Sequence, residues 1–303
     1  MSTFKPPANF SRVLSQPTFY EKIIITEQPS LIKGIPDGIL ALIVPVVAYW
    51  SYSMFFHIID VYELAEQYRI HPSEEEKSRN KVTLHEVVRD VIFQHIIQTI
   101  AGFAVYCIDP IPRSAFCIID SWQFWLHRLM HINKSLYRRF HSRHHRLYVP
   151  YAFGALYNDP VEGFLLDTLG TGIASLVTGL SHRESIFLYT FATLKTVDDH
   201  CGYRLPFDIF QIIFPNNSVY HDIHHQMWGI KNNFSQPFFT FWDVLNNTQY
   251  KFVNEYKDLQ KHITLTKYKE FLAKKSGSKS KSKQELEIEE EEKSIDKETK
   301  KEI

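Results

Sequence analysis

The chain has 303 residues with 34 basic and 34 acidic side chains, so its formal net charge is zero. Its length suits one large domain or two small ones. The three cysteines, Cys107, Cys117 and Cys201, are widely spaced and form no CxxC pair, which argues against a disulfide framework and against a zinc ribbon. No feature of the sequence indicates a nucleic-acid partner.

The first segment is rich in proline and lacks the compact apolar core of a cleavable signal peptide. We therefore predict that residues 1–34 form an irregular leader outside the bilayer. The folded domain is expected to begin at residue 35.

Uncharged apolar runs after the leader predict membrane helices. Residues 38–59 contain no Asp, Glu, Lys or Arg and are long enough to cross a bilayer, with Pro45 as the expected kink. Residues 91–108 form a second such run. Residues 168–182 and 185–194 are shorter, and together they predict a helical hairpin that dips into or through the membrane. The alternative for the shorter runs is that they are buried helices of a soluble protein.

Basic residues predict the orientation of the region between these runs. Residues 121–158 contain no acid, and cytoplasmic loops of membrane proteins carry an excess of Lys and Arg. The basic residues of this stretch are Arg128, Lys134, Arg138, Arg139, Arg143 and Arg146. The sequence therefore predicts an all-α, integral membrane helical bundle of about four membrane helices, with a cytosolic cap that contains this stretch.

Nine of the fifteen histidines fall into short, regularly spaced boxes. An HxxxH box is followed by an HxxHH box, a single histidine and a second HxxHH box. Residues i, i+3 and i+4 of a helix share one face, so each box can aim several imidazoles at one point. Imidazole is the commonest side-chain metal ligand and suits iron, zinc and copper. We predict a polynuclear metal centre in the cap, with nine ligands: His127, His131, His141, His144, His145, His200, His221, His224 and His225.

Nine imidazoles are enough to give two metals four or five ligands each and to leave open positions for dioxygen. The alternatives are a membrane-bound zinc hydrolase and a metal transporter. A hydrolase would need a carboxylate base inside its motif, as in HExxH, and neither HxxHH box has one. A transporter would have its histidines inside the spans, whereas these boxes lie outside the apolar runs. Acidic residues beside the boxes, Asp198, Asp199 and Asp222, are expected to accept the second N–H of the ligands or to be surface charges. The remaining histidines are assigned no role: His57, His71, His85, His95, His182 and His262.

The C-terminal segment is charged and low in complexity from Lys274 onward, so it cannot bury enough apolar area to fold. We predict a membrane domain over residues 35–255 and a charged, largely disordered tail over residues 256–303. Lys300 and Lys301 stand at positions −4 and −3, which resembles the KKxx signal that retrieves membrane proteins to the endoplasmic reticulum. That signal acts in the cytosol, which agrees with the cytosolic orientation predicted from the basic residues of 121–158.

The boxes and their flanking residues resemble the fatty acid hydroxylase superfamily of membrane di-iron enzymes. Residues 120–131, DSWQFWLHRLMH, resemble the first box of the family, and residues 141–147, HSRHHRL, resemble the second. Within the superfamily, residues 149–158 (VPYAFGALYN), 161–163 (VEG) and 195–203 (KTVDDHCGY) are most similar to the fungal sphinganine C4-hydroxylases. Some relatives have a further histidine four positions before the single histidine that is His200 here. This chain has Thr196 at that position.

This resemblance implies an O2-dependent di-iron monooxygenase of the endoplasmic reticulum membrane that converts sphinganine to phytosphingosine. A free sphingoid base or a ceramide is the expected substrate, and a sterol C4-methyl oxidase or another lipid hydroxylase is the alternative. The two iron ions would be held by the nine histidines, and zinc suits the same site. Cytochrome b5 is expected to be a separate electron donor, because the nearest match to its HPGG haem motif is the poor His71-Pro72-Ser73-Glu74.

Overall fold

The computed structural model describes residues 30–106 and 116–274, with side chains described up to residue 103 in the first range. These residues form helices and loops with no β-strand among them, so the predicted all-α fold is confirmed. Most of the predicted leader, the residues from 275 onward with their KKxx-like end, and Cys107 lie outside the described residues.

Four long helices form the bundle. They are α1 (Asp37–Val61), α3 (Leu84–Tyr106), α6 (Pro160–Thr178) and α7 (His182–Asp199), with the short α2 (Ser73–Arg79) between α1 and α3. The helices α1 and α7 run parallel, since Arg183 pairs with Asp37 near their starts and the Tyr52 hydroxyl donates to Asp198 near their ends. The helix α3 runs antiparallel to α1, because Gly102 lies against the side chain of Leu42 whereas His95, earlier in α3, packs on Tyr49, later in α1.

The predicted hairpin is present as α6 and α7, although both helices are longer than the apolar runs. Gly179 adopts a left-handed conformation with φ of +56° and ends α6. Ser181 and Glu184 then form a capping box that starts α7. The two helices fold back on each other, because Ser175 Oγ lies 2.5 Å from the Tyr189 hydroxyl.

Within residues 30–106 and 116–274, two helices, α1 and α6, are long and apolar enough to cross a membrane. The described part of α3 begins with charged residues, among them Glu86, Arg89 and Asp90, which lowers its mean hydropathy. The two candidate spans agree with a membrane protein, and the total of about four remains a prediction.

Shorter elements build the histidine cap. They are α4 (Phe116–Ile132), α5 (Lys134–Arg139), a 3₁₀ segment (His141–Arg146), α8 (Ile209–Ile213), α9 (Ser218–His225) and α10 (Phe241–Asn246). The first of them, α4, begins inside the bundle, where Ile119 packs with Ala174 of α6 and Leu188 of α7. Trp122 on α4 donates its indole N–H to the carbonyl of Leu165, which joins α4 to α6. The carboxylate of Asp120 accepts the backbone N–H groups of Phe238 and Phe239, which fixes the segment before α10.

A last helix, α11, covers residues 253–274. Tyr256 and Thr264 of this helix are buried, and Thr264 Oγ1 donates to the carbonyl of Ile70. The boundary predicted at residue 255 therefore falls inside a helix that packs on the domain, and ordered structure continues to residue 274.

Candidate metal centre

The structure brings all nine box histidines together in the cap. The helix α4 supplies two, the 3₁₀ segment supplies three, the end of α7 supplies His200 and α9 supplies three. Eight of them are buried and His131 is half-buried. They form two groups, and within each group all the potential ligand atoms lie within 4.8 Å of one another. The five-histidine group is His127, His131, His141, His145 and His224, and the four-histidine group is His144, His200, His221 and His225.

Each HxxHH box is divided between the two groups. In the 3₁₀ segment, His141 and His145 belong to the five-histidine group and His144 belongs to the four-histidine group. In α9 the assignment is reversed, with His221 and His225 in the four-histidine group and His224 in the five-histidine group. Positions i and i+4 thus serve one group and position i+3 serves the other. Each HxxHH box, a single helical turn, therefore contributes imidazoles to both of the neighbouring groups.

Hydrogen bonds at Nδ1 fix the tautomer of most of these rings. A carbonyl oxygen can only accept, so a ring whose Nδ1 faces a carbonyl carries its proton there and presents an unprotonated Nε2. The pairs are His127 with Phe234 at 2.8 Å, His144 with Tyr157 at 3.2 Å, His200 with Thr196 at 2.8 Å, His224 with Asn232 at 2.7 Å and His225 with Leu147 at 2.7 Å. In His141 the acceptor is the carboxylate of Glu162.

The Nε2 atoms converge at distances that suit bound metal ions. Neighbouring Nε2 atoms are 2.6–3.2 Å apart in the five-histidine group and 3.0–3.3 Å apart in the four-histidine group. Two unprotonated nitrogens at this distance repel each other unless a cation lies between them. Imidazoles bound at about 2.1 Å and at right angles to one another have nitrogens about 3.0 Å apart. The residues therefore fit two metal ions, one for each group.

Burial keeps these imidazoles neutral, which is the form that binds metal. It lowers the pKa of His127 and of His200 to about 4. For the other rings, burial and the neighbouring histidines lower the pKa well below its usual value. These rings are His131, His141, His144, His145, His221, His224 and His225.

Glu162 is the carboxylate that contacts the second ring nitrogen of a box histidine. The prediction that Asp198, Asp199 and Asp222 accept from the ligands or are surface charges is wrong, because all three are buried and contact other residues. Asp199 pairs with Lys195, Asp198 accepts from Tyr52, and Asp222 contacts His71. Residues next to a histidine on a helix point about 100° away from it, so these three buried carboxylates reach partners other than the ligands. Glu162 is distant in sequence and reaches His141 because the start of α6 packs against the cap. The sequence signal for Glu162 was its place in the VEG segment of residues 161–163, which carries the resemblance but does not indicate a histidine partner.

His71, which we assigned no role, lies behind the four-histidine group. It is buried, and its Nε2 lies 3.1 Å from both carboxylate oxygens of Asp222, while its Nδ1 lies 3.0 Å from Glu75. Although burial acts against protonation, the carboxylates of Asp222 and Glu75 raise the pKa of His71 to about 9. Tyr256 of α11 donates to Asp222 at 2.6 Å. His71 therefore joins the segment after α1 to α9 and α11.

We expect His71→Ala to lower the free energy of unfolding by about 3 kcal/mol, because it removes the cation from a buried pair. Thermal or denaturant unfolding of the purified protein in detergent measures this. His71→Gln, which keeps a donor toward Asp222, should lose less. Equal stability of His71→Ala and the unchanged protein would show that the pair does not brace α9.

Comparison with known proteins places the fold and its histidines in a family. Residues 113–248 match the model of the fatty acid hydroxylase family. The sphingolipid C4-hydroxylase of Saccharomyces cerevisiae is 54% identical over 82% of this chain and 82% of its own length. Sphinganine C4-monooxygenase 1 of Arabidopsis thaliana is 44% identical over 71% of this chain and 88% of its own. The chain belongs to the fatty acid hydroxylase family. The resemblance drawn from the histidine boxes is thereby confirmed.

Fatty acid hydroxylases are iron-dependent, and this member has two histidine groups that could bind the metal. A very-long-chain aldehyde decarbonylase of Oryza sativa subsp. indica is 45% identical over 71% of this chain and 89% of its own length, so similar chains carry different functional names. No solved structure matches this fatty acid hydroxylase.

Two adjacent cavities lie at and beside the histidines of this fatty acid hydroxylase. The histidine cavity, of about 20 Å³, is lined by His127 and His141 of the five-histidine group and by three histidines of the other group. The chain cavity, of about 180 Å³ and mostly apolar, lies among α1, α3, α6 and α7. Four residues line both cavities and form the junction between them: Gln123, Asp167, Thr196 and Pro237.

Thr196 occupies the place of the absent histidine. Its hydroxyl donates to the carbonyl of Ala192 at 2.9 Å, and its own carbonyl accepts from His200. The four-histidine group has one imidazole fewer than the five-histidine group. Thr196, one helical turn before His200, lines both cavities.

Proposed function

We propose that this protein is a sphingoid-base C4-hydroxylase, which places one oxygen atom of O2 on C4 of sphinganine and forms phytosphingosine. The observation that carries the proposal is the apolar chain cavity that meets a buried pair of histidine groups. Relatives named as sphingolipid C4-hydroxylase and sphinganine C4-monooxygenase, at 54% and 44% identity over most of this chain, support the choice of substrate.

The nine histidines would hold two iron ions, five on one and four on the other. Iron bound there would supply the activation of O2 that breaking an unactivated C–H bond requires. The chain's own residues do the remaining work. Their neutral imidazoles are held by backbone carbonyls and by Glu162, and their burial excludes water from the reaction.

The chain cavity would bind the alkyl chain of the substrate within the bilayer. Small and apolar residues line it, among them Ala41, Leu42, Val46, Gly102 and Gly172. A long alkyl chain buried against such residues gains about 0.8 kcal/mol for each methylene group removed from water. C4 of the substrate would then lie at the junction, beside the four-histidine group.

Expression in yeast that lacks its own C4-hydroxylase tests the proposal, with mass spectrometry of the lipid extract. We expect phytosphingosine from the full chain and none from a His224→Ala control. Oxidised 4-methylsterols would favour the methyl oxidase alternative, and alkanes formed from long-chain aldehydes would favour a decarbonylase. Either result without phytosphingosine would overturn the proposal.

Electrons would come from cytochrome b5, through a basic surface on α5. Within the basic stretch, Arg143 and Arg146 are engaged by Asp90 and Glu86 of α3. Lys134, Arg138 and Arg139 of α5 are exposed. Asn133 caps α5 by accepting the backbone N–H groups of residues 135 and 136, so these three charges stand on a fixed turn next to His131. An acidic donor would be attracted to this turn.

We expect reversal of the three α5 charges to Glu to raise the KM for cytochrome b5 by about tenfold at low ionic strength, because exposed charges steer association. Turnover with purified cytochrome b5 at several salt concentrations measures this. Lys251→Glu, at an exposed lysine outside α5, is the matched control. An unchanged KM in the α5 variant would place the donor elsewhere.

The protein would reside in the endoplasmic reticulum membrane as a multi-pass protein, with the histidine cap and the C-terminus in the cytosol. The candidate spans α1 and α6 and the basic stretch of the cap support this orientation.

A further inference from the structure

Three carboxylates line the histidine cavity: Glu162, Asp167 and Asp199. Two of them have a basic partner. Glu162 contacts His141 through Nδ1, and Asp199 pairs with the ammonium of Lys195. Asp167 accepts only from two amides, Gln123 and Asn158, each at 3.3 Å. Among the described residues no lysine, arginine or histidine pairs with Asp167.

A carboxylate without a cation is costly at this depth. Asp167 belongs to α6, one of the two candidate membrane spans, and burial of an isolated charge costs several kcal/mol or forces the group to become neutral. The part of its surface that remains accessible faces the cavities, since Asp167 lines both of them. Ionisable residues inside spans are rare and generally functional.

The backbone around Asp167 is also unusual. Residues Phe164–Leu169 form a π-helical turn within α6, a feature that occurs frequently at functional sites. Neighbouring donors satisfy the carbonyls of this turn. Trp122 donates to the carbonyl of Leu165 at 2.8 Å, and Thr171 Oγ1 donates to the carbonyl of Asp167 at 2.7 Å. Donors from α4 and from α6 itself thus support the turn. A π-helical turn contains one residue more than an α-helical turn, and this changes the face of α6 on which Asp167 lies.

The proposed reaction puts a cation close to this carboxylate. In a sphingoid base the ammonium is on C2, two bonds from the carbon that is hydroxylated, and hydroxyl groups are on C1 and C3. When C4 lies at the histidines, this polar head must lie in the junction or the histidine cavity. Asp167 lines both, with the amides of Gln123 and Asn158 beside it.

We propose that Asp167 binds the ammonium of a free sphingoid base and thereby selects the free base over an N-acylated ceramide. Gln123 and Asn158 hold the carboxylate and offer their amides to the neighbouring hydroxyl groups. The inference rests on the proposed C4-hydroxylation and specifies its substrate. An N-acyl group removes the positive charge, so an N-acylated substrate gains nothing from Asp167.

The test compares Asp167→Asn with the unchanged protein on two substrates, sphinganine and N-acetylsphinganine, with the full chain in detergent or nanodiscs. Loss of a charge-assisted hydrogen bond corresponds to a change of about 10- to 100-fold. We expect the KM for sphinganine to rise by that factor, while the KM for N-acetylsphinganine and the metal content stay within about twofold. Asp159→Asn is the matched control, since Asp159 caps α6 without lining either cavity.

The outcomes separate this inference from the proposed function. If the unchanged protein hydroxylates neither substrate, the proposed function fails. If it hydroxylates sphinganine and Asp167→Asn affects both substrates equally, or neither, the assignment of Asp167 is overturned and the C4-hydroxylation stands. Unchanged affinity of the Asp167→Asn variant for sphinganine, measured by direct binding, would likewise overturn the assignment of Asp167.

Discussion

Replacing His144 by Ala should abolish hydroxylation and empty the four-histidine group of metal. That group has only four imidazoles, so the change leaves three, and His144 is the only one that the 3₁₀ segment contributes. A bound metal contributes several kcal/mol to the reaction, so we expect turnover to fall by at least about 100-fold. Metal analysis of the purified protein should show a loss of about one ion per chain.

Two further variants serve as controls for this result. His131→Ala should retain more metal than His144→Ala, because four imidazoles remain in the five-histidine group. His85→Ala, at an exposed histidine outside both groups, should behave like the unchanged protein. Full activity and metal content in His144→Ala would contradict the division of the nine histidines into these two groups.

The second large effect is expected at Glu162. Its carboxylate contacts Nδ1 of His141 and fixes the ring so that Nε2 points into the five-histidine group. Loss of such a supporting partner commonly lowers metal affinity or activity by about 10- to 100-fold. We expect Glu162→Ala to lose metal from the five-histidine group by that factor, as measured by competition with a chelator.

The conservative variant separates orientation from mere packing. Glu162→Gln keeps an oxygen that accepts the proton of Nδ1, so it should retain most of the metal that Glu162→Ala loses. Asp159→Asn, one turn earlier, should have no effect on metal binding, because an asparagine also caps a helix. Normal metal binding in Glu162→Ala would show that His141 is oriented without this contact.

The sequence predicted the parts of the site that follow from local spacing. All nine box histidines come together because each box occupies a single helical turn, and α1 coincides with the first long apolar run. The sequence could not show which histidines share a metal, since that depends on how α9 and the 3₁₀ segment face each other. Glu162 and His71 were missed for the same reason. Their partners, His141 and Asp222, are far away along the chain and meet them only through tertiary packing.

The sequence also showed a threonine, Thr196, where some relatives have a further histidine. The structure shows that this threonine borders the entry from the chain cavity. A histidine at that position would have its ring where the two cavities join. Under the proposed function, the shorter side chain would leave room for a substrate carbon beside the four-histidine group.

With one ion in each histidine group, as proposed, the interleaving of the two HxxHH boxes would make metal loading cooperative. Each box has two imidazoles in one group and one in the other, so an ion that orders either box would also arrange a ligand for its neighbour. The first ion should therefore bind more weakly than the second, and chains with a single ion should be scarce during loading. A pair of iron ions that filled in this way would spend little time half-assembled, with one ion exposed to dioxygen and no second ion to share the electrons.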